Sequence, residues 1–158
     1  MFNVEYINPF IAATVNALEV MAGIQPKRGK PFVKTDRVSA GDISGVIGLA
    51  GEAVGSVAVT FSEALARRVY AAMVGEEADG LDEGVRDAVG EIANMIAGGA
   101  KAALTKEGYQ FRIAIPTIVV GKNHEIEHKG QGPCLVVPFE VEGDTFWVEV
   151  SFLPRGGG

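Results

Sequence analysis

Only one cysteine, Cys134, stands among the 158 residues, so no internal disulfide can form and nothing marks a stapled, secreted scaffold. Basic residues are in the minority too. Lys and Arg number 14 against 20 Asp and Glu, a net charge of −6, so the electrostatic term that drives most nucleic-acid binding is unfavourable overall. DNA and RNA are therefore poor partners for this chain. The opening residues, Met-Phe-Asn-Val-Glu-Tyr, have no basic region ahead of an apolar core, so the expected location is the cytoplasm. Long apolar runs are missing as well: the longest, VIGLAGEAVGSVAVTF, is broken by Glu52 and punctuated by glycine, which suits strands and not a bilayer span. What is present is a 47% hydrophobic, 22% charged composition, enough for one compact domain with a full core. The domain is expected over residues 1–153, with 154–158 a frayed tail.

Apolar spacing divides the chain into alternating elements. Asn8-Pro9 offers a cap and a first-turn proline, after which Ile7, Phe10, Ile11, Thr14, Val15, Leu18 and Met21 recur at helical spacing up to Gly23. Strands are expected over Pro31 to Val38, Ile43 to Ala50 and Val54 to Phe61. Ser62 then caps a short helix that stops at Gly75, and a longer helix runs from about Gly84 to Glu107. Further strands follow over Phe111 to Val120, Leu135 to Val141 and Phe146 to Phe152, with a weaker one at Glu125 to His128. Helix and hairpin recur in the same order, which predicts an α/β (α+β) single domain of two pseudo-repeated halves, its helices packed on one side of a mostly antiparallel sheet.

The long helix contains Gly90-Glu91-Ile92-Ala93-Asn94-Met95-Ile96-Ala97-Gly98-Gly99-Ala100-Lys101, three glycines in an element where each costs roughly 1 kcal/mol against alanine. At about 100° per residue, Val85, Ala88, Val89, Ile92, Met95, Ile96, Gly99 and Ala103 share a core side. Glu91 and Asn94 fall opposite, one turn apart, with Asp87, Gly98 and Lys101 on their stripe. Gly99 then lets the helix lie close on the sheet. Gly98, pointing outward, has no internal duty, and with Gly90, Ala97 and Ala102 it forms a smooth surface around two polar side chains, fit for close approach by something else. The bland alternative is an ordinary solvated helix face. Overlaying the helical phases of the halves, with Ile7 on Val85 and Ile11 on Val89, places Asn16 on Asn94 but Ala13 on Glu91, so the first half lacks the acidic member.

Other motifs lead elsewhere or nowhere. His124-Glu125-Ile126-Glu127-His128 matches the zinc signature HExxH, which works only on a helix; here glycine-rich turns leave room for a strand, on which the two histidines would stand roughly 13 Å apart. No metal site is assigned. Cys134 precedes an apolar strand and reads as a buried thiol, and the GLAGEAVGS segment lacks a P-loop lysine.

Taken together, INPFIAATVNALEVMAG, IQPKRGKP, VIGL with GSVAVTFS, GEIANMIAGGAK and PTIVVG resemble the CheX group of the CheC/CheX/FliY chemotaxis phosphatases over essentially the whole chain. The resemblance implies a phosphatase that removes the phosphoryl group from the aspartate of a CheY-type response regulator, with Glu91 and Asn94 as its functional pair. It implies Asn94 as the group that positions the hydrolytic water. Glu91 would dock on a lysine of the regulator, with Gly90, Gly98 and Lys101 as further partner-binding positions. Mg²⁺ would sit in the partner's active site, so this chain needs no cofactor of its own. Ala13 agrees with the single-site type, and no site is carried onto Asn16. A homodimer built through sheet strands is also implied, with the apolar strands CLVVPF and FWVEVSF expected to supply the edge. The alternative is a non-catalytic adaptor that binds a response regulator or flagellar-switch protein through the same helix.

Overall fold

The computed structural model describes residues 6–35, 41–122, 124–126 and 133–154. Among them lie helices α1 (Ile7–Ala22), α2 (Glu63–Val74) and α3 (Glu83–Lys106) and strands β1 (Lys27–Arg28), β2 (Phe32–Val33), β3 (Ile43–Gly51), β4 (Ala53–Phe61), β5 (Phe111–Ile113), β6 (Thr117–Val120), β7 (Leu135–Val141) and β8 (Asp144–Pro154). Local chemistry sets the ends. Ser62 Oγ accepts from the Leu65 N–H at 3.1 Å and an Asp82 oxygen from the Val85 N–H at 3.0 Å, so α2 and α3 begin on side-chain caps. Gly23, at φ 66°, closes α1 with paired bonds from the Gly23 and Ile24 N–H groups to Glu19 and Leu18. Glu142 and Gly143, both at positive φ, make the tight turn between β7 and β8.

The strands form one antiparallel sheet in the order β1-β7-β8-β4-β3-β5, with β2 also on β7 and β6 also on β3. Two hairpins, β3–β4 and β7–β8, meet back to back at the centre, where Val57 lies opposite Val150. Each half then lends its short strands to the other's hairpin: β1 and β2 pair with β7, and β5 and β6 with β3. That interlock binds the predicted repeats into one body; among the described elements α2 alone has no counterpart. Phe61, Phe139 and Phe146, with Phe10 and Phe152, fill the layer between sheet and helices with ring contacts, among them Phe139 stacked on Phe146 at 5.1 Å.

Two strand expectations change. The run Phe111 to Val120 is two strands, because Ile113 pairs with Leu49 and Thr117 with Val46, leaving three residues, Ala114-Ile115-Pro116, opposite two of β3. The extra residue makes a bulge on the sheet edge, where Pro116, without an N–H to donate, is tolerated. Secondly, β7 and β8 are interior strands, each paired on both sides, so they offer no free edge. Among the described residues of the expected strand Pro31 to Val38, only Phe32–Val33 form one. Residues 36–40 lie outside the described residues.

Candidate functional site

Helix α3 is held on three sides. Beneath it, Gly45 of β3 keeps the sheet low: a Cβ there would stand 3.1 Å from Ala93 Cβ and 3.3 Å from Val89 Cγ1. On one flank α1 crosses antiparallel, with Ala13 against Gly99, where an added Cβ would fall 2.9 Å from Ala13 Cβ. At the far end of the same pair the Tyr6 and Tyr109 hydroxyls meet at 2.6 Å. On the other flank Gly90 faces Pro116 and Ile118, whose carbons lie 3.8 and 3.6 Å from its Cβ position.

Several expected positions move accordingly. Gly90 is buried against the β5–β6 turn and is not part of an exposed, partner-facing surface; Ala97 is fully buried, and Ala103, expected in the core, is exposed. Gly99 serves the approach of α1 and not of the sheet, a task that falls to Gly45. The buried set accordingly includes Gly90, Ala93, Ala97 and Ala100, small residues that turn the core face away from where the large side chains alone would set it.

What remains outward is a stripe of Asp87, Glu91, Asn94, Gly98, Lys101 and Ala102. Glu91 and Ala102 are exposed; Asn94, Gly98 and Lys101 are half-buried. Among the described residues nothing lies within 4 Å of a Cβ built on Gly98. Among the described residues neither the Glu91 nor the Asn94 side chain makes a hydrogen bond or ion pair, so a carboxylate and a carboxamide stand side by side with their full capacity unspent. Asn16, the counterpart of Asn94, is exposed on α1, but its acidic counterpart position is Ala13, pressed against Gly99. A glutamate at 13 would have to displace α3.

His124 is placed far from this stripe. It lies outside any helix, on the sheet face opposite the helices. Its Nδ1 donates to the Gly121 carbonyl at 2.6 Å, and its Nε2 meets the Ser44 hydroxyl at 2.7 Å, which in turn meets Thr60 Oγ1 at 2.6 Å. Both ring nitrogens are committed to hydrogen bonds; His128 lies outside the described residues. Among the described residues no three His, Cys, Asp or Glu side chains cluster as metal ligands. On the same face Lys34 Nζ pairs with Glu149 Oε1 at 2.8 Å, a contact across 115 positions of sequence that no local pattern announces. Burial, reinforced by that carboxylate, pushes the Cys134 thiol up to about 12, so it is no nucleophile at neutral pH. No described helix is long and apolar enough to cross a membrane.

Known proteins share this sequence and this fold. The family model described as chemotaxis phosphatase CheX matches residues 43–140. A Thermotoga maritima protein, CheY-P phosphatase CheX, is 34% identical over 136 residues, 85% of this chain and 86% of its own. The crystal structure of the chemotaxis protein CheX from Vibrio vulnificus superposes with a TM-score of 0.87 at 42% identity, covering 94% of this chain and 99% of that one. CheX in the CheX-CheY-BeF3-Mg complex of Borrelia burgdorferi superposes at 0.81 with 30% identity, covering 96% and 99%. This chain, with its E-x-x-N stripe exposed on the long helix, belongs to the CheX family of chemotaxis phosphatases.

Proposed function

We propose that the chain dephosphorylates the aspartyl phosphate of a CheY-type response regulator, using the outward stripe of α3. The observation that carries this reading is the unengaged Asn94–Glu91 pair beside an open Gly98 on a helix otherwise packed from three sides. An acyl phosphate held beside Mg²⁺ in the regulator is already activated, and its hydrolysis is accelerated by a water held in line with the P–O bond that breaks. The Asn94 carboxamide can accept from and donate to that water without bringing negative charge to the phosphoryl oxygens. Water attacks phosphorus, the bond to the aspartate oxygen breaks, and inorganic phosphate leaves with the carboxylate restored. Glu91 docks, pairing with a lysine of the regulator and setting the aim of Asn94. Gly98 lets the helix enter the cleft, and Lys101, at the end of the stripe, adds a cation near the phosphoryl group. The relative crystallised as a CheX-CheY-BeF3-Mg complex supports the partner. Release of inorganic phosphate from a phosphorylated CheY-type protein tests the reading. Binding without accelerated release would instead make the chain an adaptor.

Location in the cytoplasm, where such regulators work, and a homodimer complete the proposal. The dimer's contact belongs not to β7 or β8 but to a sheet edge, and β2 carries exposed Phe32 and Val33 there.

A further inference from the structure

Ile115, 87% exposed, and Val20, 65% exposed, are the two most exposed large hydrophobic side chains among the described residues. A scattered surface hydrophobe is ordinary, but these two bracket the same helix stripe from elements far apart in sequence. Ile115 stands on the bulge between β5 and β6, where three residues face two of β3 and the surplus pushes its side chain out. The mount is firm: the Ala114 N–H bonds to the Gly48 carbonyl at 2.9 Å, and Pro116 rests against α3 at Gly90. Gly90 is one helical turn before Asn94, so Ile115 borders the Asn94 side of the stripe. Val20 is seven residues, two turns, beyond Ala13 and therefore on the same side of α1, the side that meets α3. Because α1 runs antiparallel and Ala13 lies opposite Gly99, Val20 comes level with Ile92 and borders the Glu91 side.

We infer that Val20 and Ile115 are the two apolar rims of the docking surface, and that a receiver domain covers both with apolar side chains flanking its phosphorylated aspartate. The inference rests on the proposed receiver-directed function, with which its surface is continuous. The polar pair in the centre supplies chemistry and orientation; the rims supply affinity and partner selection, since branched side chains lose little freedom on burial and apolar burial is indifferent to salt. Neither side chain touches the reacting atoms. They are binding residues and not catalytic ones.

The test is calorimetric titration of a CheY-type receiver domain, activated with beryllofluoride and Mg²⁺, into wild type, Val20→Ser, Ile115→Ser and the double variant. Each single variant should bind about fivefold to tenfold more weakly and the double variant about fiftyfold, with little change on adding salt. Melting temperatures should stay at wild-type values. A double variant binding within about twofold of wild type would overturn the inference. If wild type binds the activated receiver and the variants bind weakly, yet no phosphate is released from the phosphorylated form, the rims stand and the hydrolytic reading falls.

Discussion

Gly98 and Gly99 are neighbours with opposite duties, and single alanines separate them. Gly98 has open space where a Cβ would go, so Gly98→Ala should raise stability by up to about 1 kcal/mol through helix propensity while weakening regulator binding. Gly99→Ala meets Ala13 Cβ at 2.9 Å, an atom with no rotamer to escape into, so the helices must separate and stability should fall by about 1 kcal/mol after the propensity gain. Thermal melts with paired binding titrations check both; equal melting shifts would contradict the division. The sequence placed Gly98 correctly because helical phase alone decides it. It misplaced the duty of Gly99, and the exposure of Gly90, because which neighbour covers a helix flank is a property of distant chain.

At the scale of the element, the sequence made the approximate span and the outward pair of α3 readable, from regular large apolar spacing and from Glu91 and Asn94 three residues apart; the Asp82 cap that starts the helix went unread in an acidic stretch. The exact core face was not readable, since alanine and glycine carry almost no hydrophobic phase, and it is Ala93, Ala97 and Ala100 that lie fully or almost fully buried. The bulge at Ala114-Ile115-Pro116 left a signal in its proline, which argues against an unbroken strand. With α3 exposing Glu91 toward α1 and Asn94 toward the bulge, the two positions should fail differently. Glu91→Ala should weaken regulator binding by about tenfold at low salt and less as salt is added, because the lost contact is a charge pair. Binding titrations at two ionic strengths measure it; a loss that persists unchanged at high salt would contradict docking by charge.

For the whole molecule, the repeated helix-and-hairpin order was legible in the sequence, whereas the exchange of short strands between halves was not, since pairing of β1 and β2 with β7 spans more than a hundred residues. The same exchange leaves short strands at both sheet edges. If the edge carrying Phe32 and Val33 is the dimer contact, sedimentation at tens of micromolar should give twice the 16.6 kDa chain mass; a monomer would remove the dimer from the account. Stability should also have an alkaline limit. The Tyr109 hydroxyl beside Tyr6, with burial, raises Tyr6 from 10.0 to about 12, and burial raises Cys134 from 9.0 to about 12. Folded chain therefore holds protons that unfolded chain releases, so their contribution is full below pH 9.0 and lost as pH rises toward about 12. Melting temperature should decline across that window and less steeply in Tyr6→Phe.

The central claim is that Asn94 on the open face of α3 positions the water that hydrolyses a partner's aspartyl phosphate. Single-turnover phosphate release from a phosphorylated CheY-type regulator, with wild type and Asn94→Ala at saturating concentration, tests it most directly. Alanine keeps the helix and removes only the carboxamide, so regulator affinity and far-UV circular dichroism should match wild type while the rate falls by about a hundredfold or more. Asn94→Asp, equal in size but negative, should be as slow. Wild-type release by Asn94→Ala would contradict the account.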